Sequence, residues 1–148
     1  DFLFAKYLFY QSNVLYMQHK FKETLRLLNY KLQLSKDKQG WDVSIRILKI
    51  QTLIELGRLD EASTQVGSLL KHADRSFSGT ELNPREKLII RILRMLNREG
   101  FSESRIRVKI RKTTQMLRDN PAYMWEPLSS ELIPFEKWLE SHYNSVKK

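Results

Sequence analysis

Within the 148 residues, positions 15–25 overlay positions 53–63 at an offset of 38. Each stretch ends an apolar run, crosses a short turn at His19 or Gly57, resumes on Phe21 or Leu59, and passes an acidic residue before a small one, Thr24 or Ala62. A weaker third copy covers 96–104, with Phe101 as the anchor and Ser104 as the small residue, at an offset of 42 from Ala62. Self-similarity at such a period marks a helical-repeat array, because one helical hairpin cannot bury its apolar face alone.

The breakers agree with helices. All four prolines lie at or beyond Pro84, and before it glycine occurs only at Gly40, Gly57, Gly67 and Gly79. Apolar residues recur at three and four positions, as in Ile47, Ile50, Leu53, Ile54 and Leu56, or Val66, Leu69 and Leu70. Asn83-Pro84-Arg85-Glu86 combines an N-cap side chain, a proline whose missing N–H costs nothing at the first helical position, and a carboxylate able to reach back. Asn120-Pro121 ends the helix before it. The pattern predicts helices near 2–17, 21–35, 42–56, 60–74, 84–98, 102–119 and 134–144. In the last of these, Phe135, Trp138, Leu139 and His142 share one face, and Glu136, Lys137, Glu140 and Asn144 are expected to face away. The first helix is apolar nearly all round, so it expects neighbours on more than one side.

The run from Leu53 through Gly57 and Leu59 to Ala62 resembles the turn and second-helix start of a tetratricopeptide repeat (TPR), with glycine before the turn and alanine at the closest helix crossing. The resemblance covers 42–74 well and 5–36 and 85–118 more weakly, and the spacings exceed the usual period of about 34. It implies an all-α, TPR-like α-solenoid: a right-handed stack of about three antiparallel hairpins at 2–36, 42–75 and 84–119, with a C-terminal cap at 127–144, in a single domain spanning 1–148. The run of Trp125, Ile133-Pro134-Phe135 and Trp138-Leu139 loosely resembles the C-terminal parts of long bacterial helical-repeat proteins. The chain opens on Asp1 rather than methionine, and it is read as a segment of a longer protein.

Composition narrows the class. With 41% hydrophobic and 29% charged residues, the chain reads as folded rather than disordered. It has no cysteine, which excludes disulfides and thiolate sites and makes the reducing cytoplasm the expected compartment. The apolar stretch 2–10, interrupted by Lys6, is too short to cross a bilayer.

Little in the sequence supports catalysis. His19, His72 and His142 have no metal-ligand partner at helical spacing, and neither a HExxH motif nor a glycine-rich phosphate loop occurs. Glu23, Asp60 and Glu61 sit at helix N-termini, where a carboxylate complements the macrodipole. No catalytic residue, metal or cofactor is expected. Trp41, Trp125 and Trp138 read as core or seam packing.

By the resemblance, the partner is a protein or peptide held in a groove. Its exposed inner positions would be Lys6, Phe9, Asn13 and Met17 in the first unit and Ser44, Gln51 and Glu55 in the second. The carboxylate clamp of chaperone-binding members is not expected, because only Asn13 matches it and Phe9, Leu48, Glu86 and Ile90 occupy the other positions. Self-association through the first helix is a further expectation.

Net charge is +9, distributed as +4 over 1–40, −1 over 41–84, +8 over 85–118 and −2 over 119–148. Arg91, Arg94 and Arg98 share one stripe of their helix, and Arg105, Lys109 and Lys112 share another, with Arg107 and Arg111 beside them. Forked guanidinium groups suit phosphate. The sequence therefore carries two functional readings. The first is a non-catalytic protein–protein interaction scaffold. The alternative is a basic module that binds nucleic acid or another polyanion through 85–118.

Overall fold

A computed structural model of the chain describes residues 2–30, 41–76 and 82–144, and every regular element among them is helical. The helices are α1 (Phe2–Met17), α2 (Phe21–Leu28), α3 (Trp41–Glu55), α4 (Leu59–Ser76), α5 (Pro84–Arg98), α6 (Glu103–Asp119) and α7 (Phe135–Leu139). A 3₁₀ turn occupies Pro121–Tyr123, and a π-helical turn at Glu140–Asn144 follows α7. Most boundaries fall within two residues of those the sequence predicts. Two differ. The helix expected over 21–35 ends at Leu28, where Asn29 caps it, and 31–40 lie outside the described residues. The cap expected over 127–144 is largely extended and turn backbone before a five-residue helix.

The chain divides into two compact units, Asp1–Lys71 and His72–Lys148. Three turns, at the ends of α1, α3 and α5, close with one pattern of backbone hydrogen bonds. Gln18, His19 and Lys20 N–H donate to the carbonyls of Val14, Tyr16 and Leu15; Leu56, Gly57 and Arg58 donate to Thr52, Ile54 and Leu53; Glu99, Gly100 and Phe101 donate to Met95, Asn97 and Leu96. This is the left-handed helix stop that satisfies otherwise orphaned carbonyls. His19, Gly57 and Gly100 occupy the left-handed position, at φ 60°, 72° and 64°. The first two turns stand 38 apart, as the sequence repeat requires. The third stands 43 from the second, and Phe101, itself at φ 59°, adds a residue between Gly100 and the N-cap Ser102, so α6 starts 44 residues after α4. Buried Ile106 therefore stands where Ala62 does, which corrects the expected offset of 42: Ser104, the small residue expected there, is exposed.

In the first unit, α1 buries Ala5, Leu8, Phe9, Ser12, Asn13 and Tyr16, and α3 buries Trp41, Val43, Ile45, Leu48 and the whole run 50–54. Trp41 meets Phe9 edge-on, with ring centroids 5.6 Å apart. Arg46 Nη1 donates to Ser68 Oγ at 3.3 Å; the two lie equally far from Gly57, so α3 and α4 run antiparallel. Ala62 and Val66 of α4 are fully buried.

In the second unit, α5 starts as the sequence predicts. Glu86 N–H donates to Asn83 Oδ1 at 2.8 Å, Asn83 N–H donates to Glu86 Oε1 at 3.1 Å, and Pro84 holds the first helical position. Leu88, Ile89, Ile92, Leu93 and Leu96 of α5 are buried, as are Ile106, Ile110 and Leu117 of α6 and Phe135, Trp138, Leu139 and Tyr143 at the C-terminal end.

Candidate interaction surfaces

Arg85 is the most constrained charged group described. It lies in the first turn of α5, where the helix dipole disfavours a cation, and its residue surface is 5% exposed. Its Nε and Nη2 donate to the two carboxylate oxygens of Glu131 at 2.8 and 2.6 Å, Nη2 also reaches Glu136 Oε1 at 2.5 Å, and Nη1 donates to the Tyr123 carbonyl at 2.8 Å. Glu131 in turn accepts from the Phe135 N–H that opens α7, at 2.8 Å, and its backbone carbonyl accepts from Trp125 Nε1 at 2.7 Å. Burial lowers the Arg85 pKa, but hydrogen bonds and charge from Glu131 and then Glu136 outweigh it, so the net shift is upward and the guanidinium stays charged. The cluster is a structural clamp that fixes 123–136 on α5. It corrects the expectation that Glu136 faces away: Glu136 is buried in the clamp, whereas Lys137 is exposed and Glu140 pairs at the surface with Arg118. The sequence holds one signal of it, an arginine at the wrong end of a helix.

His19 sits in the first turn beside the Phe21 ring, and His142 stacks on Trp138 at 5.7 Å. Among the described residues, no group of three or more His, Asp or Glu is placed to hold a metal ion, and no helix is long and apolar enough to cross a membrane. Two other ionisable groups depart from their ordinary behaviour. Burial, with the charge of Glu55 adding to it, pushes the Tyr16 phenol pKa well up. Burial, then the charge of Arg46, lowers that of Lys49.

The groove positions implied by the TPR resemblance do not form one exposed set. Phe9, Asn13 and Gln51 are buried, which corrects their expected exposure; Asn13 Nδ2 donates to the Phe9 carbonyl one turn back at 2.8 Å. Ser44 and Glu55 are half-buried, and so is Lys6, whose Nζ lies over the Trp41 ring 4.9 Å from its centroid. Met17 alone of the seven is exposed.

Met17 belongs to a different row. Leu3, Tyr7, Tyr10, Val14 and Met17, spaced four, three, four and three, are all exposed, Leu3 at 73% and Met17 at 67%, with Phe4 beside them at 58%. Alternating steps of three and four are the a/d pattern of a coiled-coil seam. The neighbours expected on several sides of α1 bury one of its faces, while this row stays exposed even where Tyr10 meets the Trp41 ring edge-on, at 5.8 Å between ring centroids.

Arg91, Arg94, Arg98, Arg105, Lys109 and Lys112 are all exposed. Lys109 Nζ stands 3.7 Å from Glu99, and Arg107 stands 3.3 Å from Glu103. An open cleft near the end of α6 is lined by Lys112, Gln115, Met116, Asp119, Asn120 and Pro121. No family model, curated protein or solved structure matches the chain.

Proposed function

We propose that this protein is a non-catalytic interaction scaffold, a TPR-like right-handed stack of helical hairpins that takes a partner protein. The observation that carries this reading is the exposed row Leu3, Tyr7, Tyr10, Val14 and Met17. A contiguous apolar surface of this kind is costly to leave in water and marks a site of association. Its spacing suits a partner that presents an amphipathic helix, with apolar residues interdigitating along the seam. The recurring turns support the repeat architecture, since one hydrogen-bond pattern closes all three helix pairs.

The test is binding of a synthetic amphipathic peptide of roughly three heptads with leucine at a and d, followed by fluorescence anisotropy. Saturable binding is expected, with a loss of at least about tenfold, or 1.4 kcal/mol, in Tyr7→Lys/Val14→Lys. Equal affinity of the two proteins, or no binding by either, would overturn the reading.

A further inference from the structure

We infer that the outer face of α5 and α6 docks on the phosphate backbone of a double-stranded nucleic acid, without reading its bases. Arg91, Arg94 and Arg98 recur on α5, and Arg105, Lys109 and Lys112 on α6, each row running about 10 Å along its helix at 1.5 Å per residue. The Lys109–Glu99 ion pair joins the rows. Glu99 directly follows Arg98, so the α6 row lies on the flank that adjoins the end of α5.

A basic helix face is ordinarily neutralised by acids nearby, and among the described residues that neutralisation is limited to the Lys109–Glu99 and Arg107–Glu103 pairs. Arg91, Arg94, Arg98, Arg105 and Lys112 make no ion pair with a described residue, and the Lys109 contact is long and exposed. Exposed pairs of this kind contribute about 0–1 kcal/mol and leave the surface potential positive.

The chemistry selects a duplex. A double helix carries one charge per about 1.7 Å of axis, so each row spans several phosphates at once. Single-strand binders need aromatic platforms, and Phe101, the one aromatic residue of 85–118, is buried. An anionic membrane is a poorer fit, because the large apolar residues exposed on these helices are only Val108 and Met116, too few to enter the acyl region.

The experiment is anisotropy of the full chain with a labelled random-sequence DNA or RNA duplex, from roughly 50 mM salt upward. Affinity should fall linearly on logarithmic axes, with a slope between about −3.6 and −5.4 for four to six phosphate contacts. Arg94→Glu/Arg98→Glu/Lys109→Glu/Lys112→Glu should lose at least about a hundredfold, equally on unrelated sequences, while Lys22→Glu/Arg26→Glu on α2 stays within about twofold. Arg105→Gln/Lys112→Gln, with an unchanged helical spectrum, should flatten the slope by about two contacts. The fourfold variant should still bind the heptad peptide, which separates this inference from the scaffold reading. Any of four results would overturn it: no binding at 50 mM, tighter binding to single strands, equal competition by polyglutamate, or equal binding to anionic vesicles.

Discussion

Residues 1–71 and 72–148 each bury an apolar core but differ in their charged contacts. In the first unit, aromatic and aliphatic contacts dominate, and ion pairs such as Arg46–Asp42 and Arg58–Glu61 are helix-surface pairs three or four residues apart. In the second, a buried guanidinium joins carboxylates 46 and 51 residues away in sequence. A surface pair leaves its water shell largely intact and contributes little, whereas a buried pair has lost that shell and depends wholly on its partner. The two units should therefore fail in different ways.

The largest difference should come from the clamp. Arg85→Met strands Glu131 and Glu136 without their cation and should destabilise by about 3–5 kcal/mol, measured by urea denaturation, against about 0.5 kcal/mol or less for Arg58→Ala. Adding Glu131→Gln and Glu136→Met to Arg85→Met should restore most of the loss, because the cost lies in unpaired charge. If Arg58→Ala costs as much as Arg85→Met, the contrast between the units fails.

This contrast also explains what the sequence made legible. The turns at His19 and Gly57, the capping box at Asn83 and Glu86, and the ends of most helices depend on residues within about four positions, so pattern and punctuation reveal them. The clamp depends on where 123–136 returns in space, which no local period encodes. The groove positions failed for a related reason. Phe9, Asn13 and Gln51 were placed by a resemblance in which the first helix of each pair lines an open surface, whereas here Phe9 and Asn13 turn inward on α1, Phe9 against Trp41, and Gln51 is buried on α3. Periodicity could not choose between the faces, because α1 is apolar around most of its circumference.

Packing in the first unit should be next in sensitivity. Ala62 is 0% exposed, and α3 beside it buries most of its residues, so there is no room for a larger side chain. Ala62→Leu should cost about 1–3 kcal/mol by forcing neighbours off their rotamers. A neutral result would show that α4 is not closely packed there.

Tyr16 gives the first unit an alkaline limit. Its folded pKa is raised, chiefly by burial and secondarily by the charge of Glu55, above the value of about 10 that it takes in the unfolded chain. The associated stability is fully present below pH 10. Above it the unfolded chain sheds a proton that the folded chain keeps, so stability should fall by about 1.4 kcal/mol per pH unit. Urea midpoints from about pH 9 to about pH 11 should show this slope, and Tyr16→Phe should flatten it by about one proton.

The smallest effect compares two equivalent turns. His19 and Gly57 occupy the same left-handed position in the first and second turns, at φ 60° and 72°. A Cβ built on Gly57 meets nothing within 4 Å, so Gly57→Ala tests backbone strain with no steric clash and should cost about 1 kcal/mol. His19 already bears that strain, partly offset by its ring contact with Phe21 at 5.4 Å. His19→Gly should therefore be stabilising or neutral, by no more than about 0.5 kcal/mol, because the released strain is set against a more flexible unfolded chain and a lost ring contact. Opposite signs for the two substitutions in thermal denaturation would show that one backbone geometry, and not the identity of its residue, is what the repeat preserves. A His19→Gly loss of 1 kcal/mol or more would instead show the imidazole contact to be the larger contribution.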